Sequence, residues 1–387
     1  MKDNALPLSP IDHVFTGVGA YDIGFAFAYQ GTLDPDRLRG SLEQTLEDFW
    51  PLRSQLVRLS EDSYAFQPSE EGLVFELAHS QETFGTAQKA TAYLDPVRTL
   101  EGEPLTRIRL TQTPQGSVLG VSISHALVDG FSYFHFLSSW SRVFHGNRIL
   151  APVHQRELLA PDLPDSREPV TPDEVLARSG LFWAGKRKPA TTAGRSEERI
   201  LLAKAAVNEL LAEAQQDCDL PLFANDALTA HLWRTCILRW DDGRGNPRTF
   251  VTCPVDFRRL LRAVPRTYFG SAIVGATASV DYDKLASASL GELARLVREA
   301  VGGVRQAYVS GALKTLQRLR QQRTVAVMEE IHVRHPQHGL VVTNISRLPL
   351  QTLDFGAGLP TGVLPLKSGD RGAAILPAED GVAVLIF

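Results

Sequence analysis

The stretch 117–144 most narrows what this chain can fold into. Leu119, Val121 and Ile123 alternate with Gly120, Ser122 and Ser124, the two-residue period of a strand with one buried face. The alternation ends at His125, which by the same parity points to the core side. After Gly130 the apolar residues Phe131, Phe134, Leu137, Trp140 and Phe144 mark one helical face, and His145-Gly146-Asn147 forms a stop. The pattern predicts a strand that turns directly into an amphipathic helix, with His125 and Asp129 at the junction. Gly130 lets the backbone turn sharply there, and an imidazole held firmly at such a turn is what a general base requires.

The rest of the chain interleaves the same two periods. Leu38, Leu42, Leu46 and Phe49 predict an amphipathic helix over 36–49, closed by Pro51. Further helices are expected over 204–216, 225–240 and 290–309. Strands are expected over 249–255 and 340–345, with a final hairpin of 372–377 and 382–387 turned at Asp380-Gly381. Between the halves, 147–199 carries Pro152, Pro161, Pro164, Pro169, Pro172 and Pro189 with little period, and reads as a long crossover. A chain of 387 residues exceeds the size at which single cores stop growing. The expected organisation is therefore an N-terminal domain 1–165, a crossover linker 166–200 and a C-terminal domain 201–387.

Composition excludes several classes. With 44% hydrophobic and 22% charged residues the chain is globular, and a formal net charge of -4 gives no global attraction to nucleic acid or anionic lipid. No apolar run reaches membrane-spanning length, so neither nucleic-acid binding nor membrane insertion is expected. The N-terminus shows no apolar signal core, and three widely spaced cysteines, Cys218, Cys236 and Cys253, argue against a disulfide framework or zinc ribbon. Both point to a cytoplasmic protein.

For His125 taken alone, a buried, hydrogen-bonded histidine is the plainer alternative to a general base. Metal binding with Asp129 is another, but no third ligand follows at diagnostic spacing, so no metal is expected. Ser122 and Ser124 lack a Gly-x-Ser-x-Gly elbow and read as structural.

The segment Ser124-His125-Ala126-Leu127-Val128-Asp129-Gly130-Phe131-Ser132 resembles the HxxxDG region of the BAHD acyltransferases. Other segments resemble that family in its order. They are Leu8-Ser9-Pro10-Ile11-Asp12, the helix ending at Pro51-Leu52, the run Ala227 to Arg234, Val255-Asp256-Phe257-Arg258, Tyr268-Phe269-Gly270 and Asp354-Phe355-Gly356-Ala357-Gly358. Three positions depart from the pattern. Ala357 replaces the tryptophan of DFGWG, Ser271 stands where Asn is usual, and Thr343-Asn344-Ile345 stands where many members have Thr-Ser-Trp. The Thr-Asn pair is also similar to the Ser-Asn of peptide condensation domains, which share HxxxDG and take acyl groups from carrier proteins. Asp-Phe-Gly also occurs in protein kinases, but a Gly-rich phosphate loop and a His-Arg-Asp loop are missing from the sequence.

The resemblance implies an α/β fold of two chloramphenicol-acetyltransferase-like mixed-sheet domains with the active-site channel between them. It implies an acyltransferase moving an acyl group from acyl-CoA, as co-substrate and with no bound cofactor, to a hydroxyl or amine of a small, specialised metabolite. His125 is the implied general base, with no acyl-enzyme. Asp129 could orient the imidazole as in a triad, but the resemblance implies structural support, paired with Arg258. Thr343 or Asn344 is a candidate oxyanion donor. Arg259, Arg262 and Arg266, with Arg258 the densest basic run, are candidates for coenzyme A phosphates or for a solvated helix face. A monomer is expected. Two alternatives remain: a stand-alone condensation-like enzyme using a carrier-protein thioester, and a non-catalytic binding member of the fold.

Overall fold

The strand predicted by alternation runs Gly116–Ser124 and lies at the centre of a five-stranded mixed sheet. The computed structural model describes residues 5–85, 89–159, 171–188, 197–347, 349–366 and 371–387. Sheet order is Gly362–Pro365, Asp22–Tyr29, Gly116–Ser124, Thr106–Thr113 and Leu73–His79, antiparallel except for the parallel last pair. A second, six-stranded sheet runs Ile273–Asp281, Arg248–Asp256, Gly339–Asn344, Gly372–Ala378, Gly381–Ile386 and Glu198–Leu202. Its parallel pairs join Gly339–Asn344 to both neighbours. Both sheets mix strand directions and carry helices, as the α/β expectation requires.

Local chemistry accounts for the elements around the central strand. The helix Pro35–Asp48 begins with proline at its first turn, and its N-cap Asp34 accepts hydrogen bonds from the amides of Asp36 (3.0 Å) and Arg37 (3.1 Å). Leu38, Leu42 and Leu46 face inward against the helix Gly130–Phe144, where Trp140 Nε1 donates to Ser41 Oγ at 3.0 Å. Each fully buried side chain of this size contributes about 1.5–3 kcal/mol before entropy is counted.

Three expectations need correction. The central strand has both faces buried, because the segment 93–97 lies across the face expected to meet solvent: a Cβ at Gly120 would overlap the Tyr93 carbonyl oxygen. Glycine and serine on that face mark close packing and not exposure. Phe131, assigned to the apolar face of its helix, is 43% exposed, and its ring lies 4.6 Å from the Arg258 guanidinium carbon. The helix expected over 290–309 is two helices, Leu290–Gly303 and Gln306–Arg323, broken by extended backbone at Val304 and Arg305. Gly302-Gly303 weakens the helix at that point. The crossover holds a short helix, Pro172–Arg178, with a capping box between Thr171 and Glu174, and a two-residue strand Phe182–Trp183 paired with Ile331–His332. Pro161, Pro164, Pro169 and Pro189, and the boundary at 165/166, lie outside the described residues.

Chain halves also exchange pieces. Gly362–Pro365 pairs with Asp22–Tyr29 in the first sheet, and Leu313 and Leu316 of the helix Gln306–Arg323 belong to the core of that half. No helix among the described residues is long and apolar enough to cross a membrane, and no group of three or more His, Cys, Asp or Glu among them could hold a metal ion.

Candidate active site

His125 is the first residue beyond the central strand, and a tight turn holds it. The Ser124 carbonyl accepts the amides of Leu127 (3.0 Å) and Val128 (3.3 Å), and Ser124 Oγ accepts the amide of Ala126 (3.2 Å). The turn then enters the helix Gly130–Phe144, whose N-cap is Asp129. The imidazole stacks face to face on Phe15, with centroids 3.9 Å apart and planes 9° from parallel, and meets the edge of Tyr21 at 5.4 Å. Only 7% of the residue is exposed. Burial lowers the His125 pKa to about 4, against the smaller opposing effects of a hydrogen bond to its own backbone and the Asp129 charge. At neutral pH the ring is therefore uncharged and able to accept a proton.

Asp129 does not serve the imidazole. Its Oδ1 accepts hydrogen bonds from the Ser132 amide (2.8 Å) and Arg258 Nη2 (2.9 Å), and its Oδ2 from Arg258 Nη1 (2.7 Å) and the Ala272 amide (2.9 Å). Both oxygens are thus committed. Burial alone would raise its pKa, but the bidentate Arg258 and the two amides outweigh that and hold the carboxyl below its ordinary range. Arg258 also donates to Tyr268 O (3.2 Å), Gly270 O (3.0 Å) and Ser132 Oγ (2.9 Å). The pair therefore pins the HxxxDG turn to the segment 268–272, which leads into the second sheet.

Among the described residues, none of the remaining candidates hydrogen-bonds to or stacks on the imidazole. Asn344 donates through Nδ2 to Asn225 Oδ1 (2.8 Å) and accepts through Oδ1 from the Ser346 amide (3.0 Å) and Oγ (2.7 Å). Thr343, half-buried and opposite Ala374 in the sheet, has no such partner among the described residues. Arg259, Arg262 and Arg266 are exposed on turns rather than on the helix face weighed from sequence, and carry no ion pair among the described residues. Ser122 is hydrogen-bonded to Asp22 and Ser124 Oγ lies 2.7 Å from Thr99 Oγ1, so both serines are taken up inside the fold. In the DFGAG segment, Asp354 Oδ1 accepts the amides of Gly356 (2.7 Å) and Gly358 (3.1 Å), while Phe355 packs on Trp140 at 4.9 Å. That segment braces the helix after His125 and does not touch the imidazole.

Sequence reasoning missed Phe15, Tyr21, Ser132 and Arg156 around the turn. Phe15 and Tyr21 flank an apolar-poor loop of no clear period, and Arg156 sits in the crossover, where pattern is weakest. Ser132 was visible only as a letter after Asp-Gly. Its Oγ donates to Gly270 O and accepts from the Gly270 amide, both at 3.0 Å.

Comparison with known proteins gives the family and the fold. A family model described as "Transferase family" matches residues 1–387. Hydroxycinnamoyltransferase 1 of Oryza sativa subsp. japonica is 28% identical over 380 residues, covering 91% of this chain and 83% of the rice protein. A hydroxycinnamoyl-CoA:5-hydroxyanthranilate N-hydroxycinnamoyltransferase of Avena sativa is 28% identical, covering 91% and 82%. Among solved structures, F. graminearum TRI101 complexed with coenzyme A and deoxynivalenol superposes with a TM-score of 0.77 at 16% identity, covering 99% of this chain and 94% of that one. With a full-length family match and the HxxxDG turn clamped by Asp129 and Arg258, the chain belongs to the BAHD-type acyltransferases.

Proposed function

We propose that the protein transfers an acyl group from acyl-CoA to the hydroxyl or amine of a small metabolite, with neutral His125 as general base and no acyl-enzyme. Membership of the family makes the chain an acyl-CoA-dependent O- or N-acyltransferase, with acyl-CoA as co-substrate. The observation that carries the His125 assignment is the buried, uncharged imidazole stacked on Phe15 at the end of the central strand. As the acceptor attacks the thioester carbonyl, the new C–O or C–N bond forms and the acceptor proton passes to His125. The tetrahedral intermediate then breaks its C–S bond, and the imidazolium returns that proton to the leaving thiolate. Placement of a base in this way typically supplies ~10²–10⁴ in rate.

Thr343 is the better oxyanion donor of the two strand candidates, since Asn344 is committed to Asn225 and Ser346. Arg259, Arg262 and Arg266, exposed and without an ion pair among the described residues, are suited to coenzyme A phosphates. Relatives that act on 5-hydroxyanthranilate favour small aromatic amines and alcohols as first acceptors to try. The test is release of free thiol from a panel of acyl-CoAs in the presence of such acceptors, by the wild type and by His125→Ala. Turnover only with an acylated carrier protein would move the protein to the condensation-like alternative, which the Thr343-Asn344 pair supports. Binding without turnover of any thioester would make it a non-catalytic member of the fold.

A further inference from the structure

Beside the two turns that hold Phe15 and His125 lies a second buried aspartate–arginine pair that the proposed chemistry does not use. Arg156 Nε lies 2.9 Å from Asp12 Oδ2, with side-chain exposures of 2% and 0%. The two residues come from distant parts of the chain, the N-terminal 3-10 turn Asp12–Phe15 and the crossover turn Arg156–Leu159. Each also touches one half of the His125 seat. Asp12 opens the turn that ends in Phe15, the ring stacked on His125. Arg156 Nη2 donates at 3.3 Å to the carbonyl of Leu127, two residues beyond His125, and Nη1 donates to Phe269 O. The fit is tight, because a Cβ at Gly270 would overlap the Arg156 guanidinium. Arg187 supports the same stack by donating to the carbonyls on either side of Phe15, Val14 O at 2.7 Å and Thr16 O.

We infer that Asp12 and Arg156 are positioning residues for His125: their ion pair locks the turn bearing Phe15 to the turn bearing His125 and so sets the plane of the imidazole. This rests on the proposal that His125 is the base. A guanidinium suits the task because Nη1 and Nη2 donate to two carbonyls while Nε stays in ionic contact with the carboxylate, a spread that a lysine ammonium does not cover. Loosening the pair lets the ring rotate away from the acceptor proton while substrate-binding surfaces elsewhere stay in place. The expected result is a fall in kcat with KM for acyl-CoA nearly unchanged.

The test combines kinetics with a direct view of the ring. In protein labelled with 13C-histidine, the His125 signals are identified by their loss in His125→Ala. Face-to-face stacking on Phe15 shifts them upfield through the phenyl ring current, and Phe15→Leu abolishes that shift. Arg156→Gln, Arg156→Lys and the near-isosteric Asp12→Asn should each reduce it, and should lower kcat by ~10- to 10²-fold, the scale of a misplacement of about 1 Å. Where Arg156→Gln is not recovered folded, Asp12→Asn and Phe15→Leu decide. Variants that melt earlier yet keep the shifted resonance and the wild-type kcat overturn the inference, since that is how a brace for the fold alone behaves. A fall in kcat with the resonance unmoved, or a rise in KM alone, overturns it equally. Should the wild type turn over no acyl-CoA, the mechanism fails separately, because the ring-current comparison does not depend on turnover.

Discussion

The two buried aspartate–arginine pairs make a controlled comparison inside one molecule. Asp129 and Asp12 are both fully enclosed and both face an arginine. Asp129 has two contacts from Arg258 and two backbone amides, and its carboxyl is held below its ordinary pKa range. Asp12 Oδ2 accepts the Ser9 amide at 2.9 Å and lies 2.9 Å from Arg156 Nε in an ionic contact without a hydrogen bond, and burial pushes the carboxyl upward despite them. Equal burial thus yields opposite shifts. Hydrogen bonds supplied to the charge decide whether an enclosed ion pair stabilises the fold or merely survives in it.

The largest expected effect concerns His125, in the turn that both pairs contact. His125→Ala should lower turnover by ~10²–10⁴ while melting close to the wild type, because it strands no charge. Steady-state rates and thermal melts on the same preparation check this, and normal turnover in a folded variant would remove His125 from the mechanism. Next in size, Asp129→Ala and Arg258→Ala should each cost ~3–5 kcal/mol of stability, the usual result of leaving one member of a buried pair alone. Asp12→Asn should cost less than either, since the folded protein already disfavours the Asp12 charge. If denaturant melts place the three variants at the same stability, the contrast between the pairs is wrong.

The pairs should also respond oppositely to acid. The Asp129 carboxyl is depressed, so its contribution is present above the unfolded pKa and is lost as pH falls through the folded value. The Asp12 carboxyl is raised, so its contribution is present below the unfolded pKa and is lost as pH rises through the folded value. Stability measured from pH 7 downward should therefore fall less steeply in Asp129→Asn than in the wild type, and more steeply in Asp12→Asn. In the kinetics, kcat/KM should hold as pH drops below 6.5 and fall only near His125's value of about 4, because protonated imidazole accepts no proton. A limb centred near 6.5 would show that the ring is solvated in the working enzyme. The smallest effect is expected on the exposed turns that follow Arg258. Neutralising Arg259 and Arg262 should raise KM for acyl-CoA a few-fold, leaving acceptor KM and kcat unchanged, which two-substrate kinetics resolves.

Wherever side-chain period matched backbone period, the elements were legible. The helices Pro35–Asp48, Lys204–Gln216 and Ala224–Trp240, the strand Arg248–Asp256 and the last hairpin lie within a residue or two of their predicted bounds. The His125 turn was legible too, because strand, turn and helix are encoded in consecutive residues, as were the motifs that mark the family. What covers the second face of the central strand was not, since Gly120 reads the same beside water as beside the Tyr93 carbonyl. Nor was the entry of Gly362–Pro365 into the first sheet, or the break between Gly303 and Gln306 that redirects a helix onto the opposite half. Sequence by itself determined the types of the main elements and the identity of the HxxxDG turn, because local propensity and period act over a few residues. Only the tertiary structure decided that Phe15 lies on His125, that the Ser132 and Ala272 amides complete the Asp129 shell begun by the expected Arg258 pairing, and that Arg156 from the crossover grips Leu127. Apart from the local Ser132 bond, those contacts join residues tens to more than a hundred positions apart, and their energies depend on burial and hydrogen-bond geometry that no local pattern carries.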